Sequence, residues 1–275
     1  MEKLIKHTED TWLEALYENC KKQFSGVHLP SHNEDHHWRV WKYAKLLVKI
    51  LQKNNQTINE AELERLIIAV FFHDLGMSKT ISKDHGKISR HLCKAFFENR
   101  KIIEPAHFNS ILDAIEKHDQ KEYNEITQKI SIQNILNIAD DLDAFSILGA
   151  YRYTEIYLLR GIEIQNLSEN ITENLLHRYQ NLVNSLHFDD SFVKSQNLRY
   201  IAARNFFKDL NFQLKNTEFD LKNISGPIGV VHYIKSLIID NGFEINKACD
   251  KVLSANPDFY TQHFFEKLKK ENSIK

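Results

Sequence analysis

Residues 62–76 read ELERLIIAVFFHDLG, and within them a helical period is set up and then stopped. His73 follows Leu66, Ala69 and Val70 at offsets of seven, four and three, so all four share one helix face. The spacing predicts a helix that begins at Asn59 and ends near Asp74, just before Gly76. Successive helix residues point about 100° apart, since a turn holds about 3.6 of them. His73 and Asp74 can therefore serve one site only where the helix stops, and Gly76 supplies the stop.

The same period extends to both sides. Upstream it predicts helices over Thr8–Phe24, with Trp12, Leu13, Leu16 and Tyr17 on one side, and over Asp35–Gln52, with Val40, Leu47 and Leu51 inward. Residues 77–87 read as a loop rich in Ser, Thr, Lys and Gly. Helices then follow at 88–99, 106–118, 130–149, 151–160, 171–186 and 190–213. The polar stretch from Lys215 to Gly226 ends in Ser-Gly-Pro and reads as a boundary, after which 228–240, 244–254 and 257–270 form three short helices. Glycine and proline are scarce, at 8 and 4 of 275 residues, which argues against sheet-and-turn architectures. The expected fold is all-α, without strands or internal repeats.

Composition narrows the function classes. A net charge of −1 gives no global field for nucleic acid or an anionic membrane, so a phosphate-bearing ligand needs a local cluster of cations. Cys20, Cys93 and Cys249 are far apart and form no C-x-x-C pattern, which suits a reduced, intracellular setting. The start, MEKLIKHTEDTW, lacks the apolar run of a signal peptide, and no stretch approaches the ~18 apolar residues of a membrane span. A cytoplasmic protein is expected.

Polar residues occupy positions that should be core. His36 lies one turn before Val40, and His118 shares a face with Ile111, Ala114 and Ile115. Asp140 follows Ile132 and Leu136 at eight and four and precedes Ile147 by seven. A carboxylate facing a core is costly unless paired or bound to a cation. Taken singly, a histidine on an apolar face is more often a hydrogen-bonded core residue than a ligand. The ordered set is different: H-x-x-R-V at His36, F-F-H-D-L-G, then I-A-D-D-L-D-A at Asp140 make a metal ion the simplest explanation.

That set resembles the HD-domain superfamily of metal-dependent phosphohydrolases, a helical-bundle fold. His36 matches the first histidine, His73 and Asp74 the doublet, and Asp140 the late aspartate. The segment S-H-N-E-D-H-H-W-R-V-W-K-Y-A (31–44) is similar to the H-D-x-x-H-x-x-R-V segment of small bacterial HD hydrolases. I-A-D-D-L-D-A-F-S-I-L-G-A-Y-R (138–152) resembles their D-A-D-R-L-D-A-x-G-x-x-G-x-x-R, with Asp143 and Arg152 in register. The likeness runs from Thr8 to Leu214 and includes A-A-R-N-F-F (202–207). Asp141 stands where that subgroup has arginine, and Asn33 where it has aspartate. Two domains follow as an expectation: an HD hydrolase domain over 1–215 and a C-terminal helical extension over 216–275 that serves access or association.

The resemblance implies roles. With His85 and His118, the order H, HD, H, H, D resembles the six-ligand binuclear HD sites, so the metal set is His36, His73, Asp74, Asp140, His85 and His118; His85 reads equally as a solvated loop residue. Asp74 would bridge two ions and meet the activated water. Imidazole and carboxylate without thiolate suit Mn²⁺, Fe²⁺, Co²⁺ or Mg²⁺, one or two per chain. Lys79, Arg39 and Arg152 could neutralise phosphate, with Lys79 also counted as catalytic, and Arg39 reads equally as a structural ion-pair partner. His32 would line the pocket. Asp143 could orient water, act as a base, or hold an arginine. The leading expectation is hydrolysis of a small, nucleotide-like phosphoester or phosphoanhydride. A di-iron HD-fold oxygenase and a regulatory or scaffolding protein are the alternatives, and the tail could bind a partner or close a homodimer.

Overall fold

The computed structural model describes residues 1–119, 131–216 and 224–273. Among them there is no strand, as the all-α reading requires. The residue 130 start expected for one helix, and residues 217–223 of the expected polar boundary, lie outside the described residues. By contact the chain forms two compact units, Met1–Asp143 with Asn181–Asp189, and Ala144–Gln180 with Asp190–Lys275. No helix among the described residues is long and apolar enough to cross a membrane.

The first unit holds α1 (Glu2–Phe24), α2 (Glu34–Lys53), α3 (Glu60–Phe72), α4 (His85–Arg100), α5 (Phe108–Lys117) and α6 (Ile132–Asp143). α3 is central, packing on α1, α2, α5 and α6. That placement explains why every residue from Leu66 to Phe72 is buried and why its apolar character is not confined to one stripe. Each such leucine, isoleucine or phenylalanine contributes about 1.5–3 kcal/mol by leaving water. The helix is launched by a reciprocal cap, with Asn59 accepting from the Glu62 N–H and Glu62 accepting from the Asn59 N–H, both at 2.9 Å. α2 is launched by Asn33, whose side chain accepts from the Asp35 N–H at 3.1 Å. It then packs along α6.

Several expected boundaries move. α1 begins at Glu2 rather than Thr8, and the helix expected from 171 begins at Ile164. The expected loop 77–87 starts inside a 3-10 turn, Leu75–Ser78, and α4 begins at His85, earlier than the expected 88. The single helix expected over 130–149 is broken after Asp143, and α7 (Ser146–Leu159) starts there. Ser146 has φ +74°, which no continuing helix allows. The new helix start is held by the distant Glu271, which accepts from the Ser146 hydroxyl at 2.6 Å and the Leu148 N–H at 2.8 Å.

The second unit comprises α7, most of α8 (Ile164–Ser185), α9 (Asp190–Asn216), α10 (Gly226–Tyr233), a π-helical segment Ile234–Asp240, α11 (Ile245–Ser254) and α12 (Phe259–Asn272). α7 packs on α9, α10 on α9, and α12 on both α7 and α10. The residues after 225 are thus part of this unit's core, where Phe206 and Phe264 meet with ring centroids 5.0 Å apart.

Candidate metal centre

The doublet sits where α3 ends. His73 keeps helical angles and its N–H still bonds to the Ala69 carbonyl at 2.9 Å, whereas Asp74 leaves the helix at φ −105°, ψ 8°. The Met77 N–H closes the following turn on the Asp74 carbonyl at 2.8 Å. This change of backbone brings the two side chains to one side. Gly76 lets α4 begin against that turn, since a Cβ there would stand 2.1 Å from the His85 carbonyl oxygen. Gly86 does the same between α4 and α5, where a Cβ would lie 2.6 Å from the Glu116 carbonyl oxygen. Both close approaches deliver His85, first residue of α4, and His118, just past α5, to the doublet.

The result is two groups joined by one carboxylate: His36, His73, Asp74 and Asp140, and Asp74, His85 and His118, all buried. Asp74 Oδ2 faces His36 Nε2 at 3.3 Å and His73 Nε2 at 3.5 Å. Its Oδ1 faces His118 Nε2 at 2.9 Å and His85 Nε2 at 3.2 Å. Asp140 Oδ1 stands 3.7 Å from His36 Nε2 and 4.0 Å from His73 Nε2. Within each group the imidazole nitrogens nearly touch, His36 to His73 at 3.2 Å and His85 to His118 at 3.3 Å.

The other ring nitrogen of each histidine explains the arrangement. Nδ1 of His73, His85 and His118 lies 2.7–2.8 Å from the carbonyls of Val70, Ser82 and Ile115. His36 Nδ1 lies 2.9 Å from Asp143 Oδ2. Carbonyls and carboxylates only accept, so each Nδ1 carries a proton, and each Nε2 is left to face the carboxylate oxygens and the neighbouring ring. Nitrogens and carboxylate oxygens set this close repel unless protons or a metal cation stand among them. This donor set therefore fits a divalent metal, with oxygen and imidazole ligands and no thiolate.

The remaining expected site residues divide. Arg39 meets Asp143 by two bonds, Nε to Oδ1 at 2.8 Å and Nη2 to Oδ2 at 3.0 Å. Of the roles left open for Asp143, holding an arginine is thus what its geometry displays. His32 is buried, with its ring centroid 5.4 Å from that of His36 and its Nδ1 2.6 Å from the Ser31 hydroxyl. Lys79 is exposed at the end of the 3-10 turn. Arg152 is buried on α7 in the second unit. His85, open between ligand and loop residue, is buried beside Asp74 and His118.

His37 and Asp119 escaped the sequence reading, and Asp141 was read only as a departure from the subgroup's pattern. His37 is fully buried against the rings of His36 and His73, with centroids 5.4 and 5.1 Å away. Asp119 is partly exposed, and its Oδ2 lies 4.0 Å from His85 Nε2. The repeated His-Asp dipeptide, 73–74 and 118–119, was the available signal for it. Asp141 is fully buried and accepts from Asn181 Nδ2 at 3.0 Å, so a structural bond occupies the place where the HD subgroup has arginine.

A family model described as HD-CE matches residues 15–216, almost three quarters of the chain. The chain belongs to the HD-CE family. A search of curated proteins and a search of solved structures each gave no match.

The HD-CE centre is strongly polarised. Burial acts against ionisation of Asp74, but His73 and the hydrogen bonds of His118, His36 and His85 outweigh it and hold the carboxyl well below its ordinary range. Burial likewise opposes charge on His118, yet Asp74 outweighs it and raises the ring to about 9. His73 is pushed down to about 4, chiefly by burial. Asp74 thus remains a carboxylate with both oxygens engaged by histidine nitrogens. The buried groups of this HD-type domain could hold a divalent metal ion.

Proposed function

We propose that this chain is a metal-dependent phosphohydrolase that cleaves a phosphoester or phosphoanhydride bond of a small, nucleotide-like substrate. The observation that carries the reading is the convergence of four Nδ1-protonated histidines on Asp74 and Asp140. His36, His73, Asp74 and Asp140 would hold one ion, and Asp74, His85 and His118 a second. The donor chemistry suits Mn²⁺, Fe²⁺, Co²⁺ or Mg²⁺. Bound divalent ions acidify water and offset charge on phosphoryl oxygens.

The chain's own residues do the rest. Asp74 contributes one oxygen to each group and so fixes their separation. Burial of the ligands excludes bulk water, which strengthens each electrostatic contact. Asp119, half-exposed and with its Oδ2 4.0 Å from His85 Nε2, would accept a proton from an incoming water. Lys79, on the turn leaving the doublet, would meet substrate phosphate. The same six donors also suit a di-iron oxygenase, which is the second reading.

The deciding experiment is metal analysis of anaerobically prepared protein, followed by a screen for phosphate or pyrophosphate release from nucleotides with each of the four metals. Release without oxygen is the expected result. Turnover only with iron and oxygen would establish the oxygenase, and metal-free protein with no turnover would overturn both.

A further inference from the structure

Three of the four candidate ligand histidines are oriented by backbone. His73, His85 and His118 each direct Nδ1–H to a carbonyl three residues earlier in the chain, those of Val70, Ser82 and Ile115. Such a lock is built into the local fold and no side-chain substitution removes it. His36 differs. Its Nδ1 faces a side chain, Oδ2 of Asp143, 107 residues away, at 2.9 Å.

That carboxylate is itself clamped. Arg39, three residues after His36 on α2, closes on both Asp143 oxygens at 2.8 and 3.0 Å. The planar guanidinium fork suits this two-point grip, and lysine could not reproduce it. Both partners are buried, with Asp143 almost fully so. Burying such a pair confers little net stability, because desolvation costs about as much as the attraction returns. A hydrophobic pair of similar volume would serve packing as well. The arrangement is better explained by what it does to His36. A carboxylate behind an imidazole fixes its tautomer and ring orientation, and so where the far nitrogen points. Here the far nitrogen is Nε2, which points at Asp74 and at His73.

We infer that Arg39 and Asp143 form a positioning pair that holds His36 in its Nδ1–H tautomer and presents Nε2 to the ion of the His36–His73–Asp74–Asp140 group. Arg39 then acts through Asp143, and Asp143 through His36, and neither touches substrate. This rests on the proposed metal centre, and it assigns Asp143 and Arg39 away from general base and phosphate contact.

Two variants test it in the full chain: Asp143→Asn, close to isosteric, and Arg39→Met, which leaves Asp143 beside His36. Mn²⁺ titration reads affinity and stoichiometry, ¹⁵N NMR of the metal-free chain reads the His36 tautomer, and circular dichroism reports folding. In Asp143→Asn one Mn²⁺ should bind about 10–100-fold more weakly while the other keeps its affinity, the range expected for losing an outer partner of a ligand. The His36 ring should lose its fixed Nδ1–H signature, and His73, His85 and His118 should keep theirs. Arg39→Met should shift affinity in the same direction by a smaller factor. A merely structural pair would lower the melting temperature and leave tautomer and affinity unchanged, and that result overturns the inference. Should Asp143→Asn not fold, Arg39→Met decides alone, with wild-type affinity and tautomer overturning the inference. If the wild-type chain takes up no Mn²⁺, the metal reading fails, and the tautomer comparison still decides whether the pair orients His36.

Discussion

Oδ1 of Asp74 lies 2.9 Å from Nε2 of His118, across 44 residues of chain, while Oδ2 of the same carboxylate faces His36. One side chain therefore belongs to both donor groups. Asp74→Asn keeps its size and removes the charge. The expected outcome is loss of metal from both groups, a fall in affinity beyond the about 10–100-fold typical of losing an outer partner, and no detectable turnover. Metal analysis and circular dichroism check it: a folded, metal-loaded Asp74→Asn variant with near wild-type turnover would remove Asp74 from the centre.

A double variant, His85→Ala with His118→Ala, separates the groups. It leaves His36, His73, Asp74 and Asp140 intact, so bound metal should fall from about two toward one per chain. Anaerobic reconstitution followed by metal analysis gives the count. An unchanged count would mean that the second group holds no ion.

The helical period was readable because the buried part of α3 carries its apolar residues at helical spacing up to His73. The candidate donors His73, His118 and Asp140 were readable because each interrupts the apolar face of its own segment. What could not be read were relations set by distant backbone. His85 was placed on a loop because no apolar stripe begins until later, yet Gly76 and Gly86 let α4 start at that residue. The break after Asp143 was missed because its cap, Glu271, comes from the far end of the chain. Asp143 could be read as base, water holder or arginine partner, and only three-dimensional contact with Arg39 distinguishes them.

Glu271 ties the last helix to the first turn of α7. Its carboxylate accepts from a hydroxyl and a backbone N–H at a helix N-terminus, where negative charge is favoured. Glu271→Ala should cost about 0.5–2 kcal/mol, the scale of losing a helix cap. That corresponds to a few degrees in melting temperature. Truncation after Ser225 should do far more, because it removes Val230, Val231, Phe264, Phe265 and Leu268 from the second unit's core. Their summed burial, at about 1.5–3 kcal/mol each, is comparable to the whole stability of a domain. A truncated chain with native near-ultraviolet circular dichroism would show that the tail is separable from the rest of the fold.

Asp258 starts α12, accepting from the Thr261 hydroxyl at 2.6 Å and from the N–H groups of Tyr260 and Thr261. Burial acts to raise its pKa, but these bonds and the Gly226 backbone outweigh it and pull the carboxyl below its ordinary value. A depressed carboxyl stabilises the fold above the unfolded-state pKa of about 3.9 and loses that contribution as pH falls through the folded value. The difference in melting temperature between wild type and Asp258→Ala should therefore be constant near neutrality and shrink in acid below about pH 4. A difference that stays constant into that range would show that ionisation of Asp258 contributes nothing.

Gly76→Ala links packing to the centre most directly. The added methyl would stand 2.1 Å from the His85 carbonyl oxygen and 2.9 Å from the Ser89 backbone nitrogen, and backbone cannot yield as a flexible side chain can. Either α4 withdraws from the doublet or the turn at Leu75–Ser78 opens. Both routes carry His85 away from Asp74 and strain the Gly76 N–H bond to the Ser89 hydroxyl, now 2.8 Å. Overpacking of this kind costs about 1–3 kcal/mol, sometimes more. Stability should fall by that amount, and the His85–His118 group should lose metal before the His36–His73 group does, since α3 and α2 are untouched. Gly86→Ala, which meets the Glu116 carbonyl oxygen at 2.6 Å, should act in the same sense on the same group. Equal weakening of both groups in folded protein would show that close approach of α4 does not position His85.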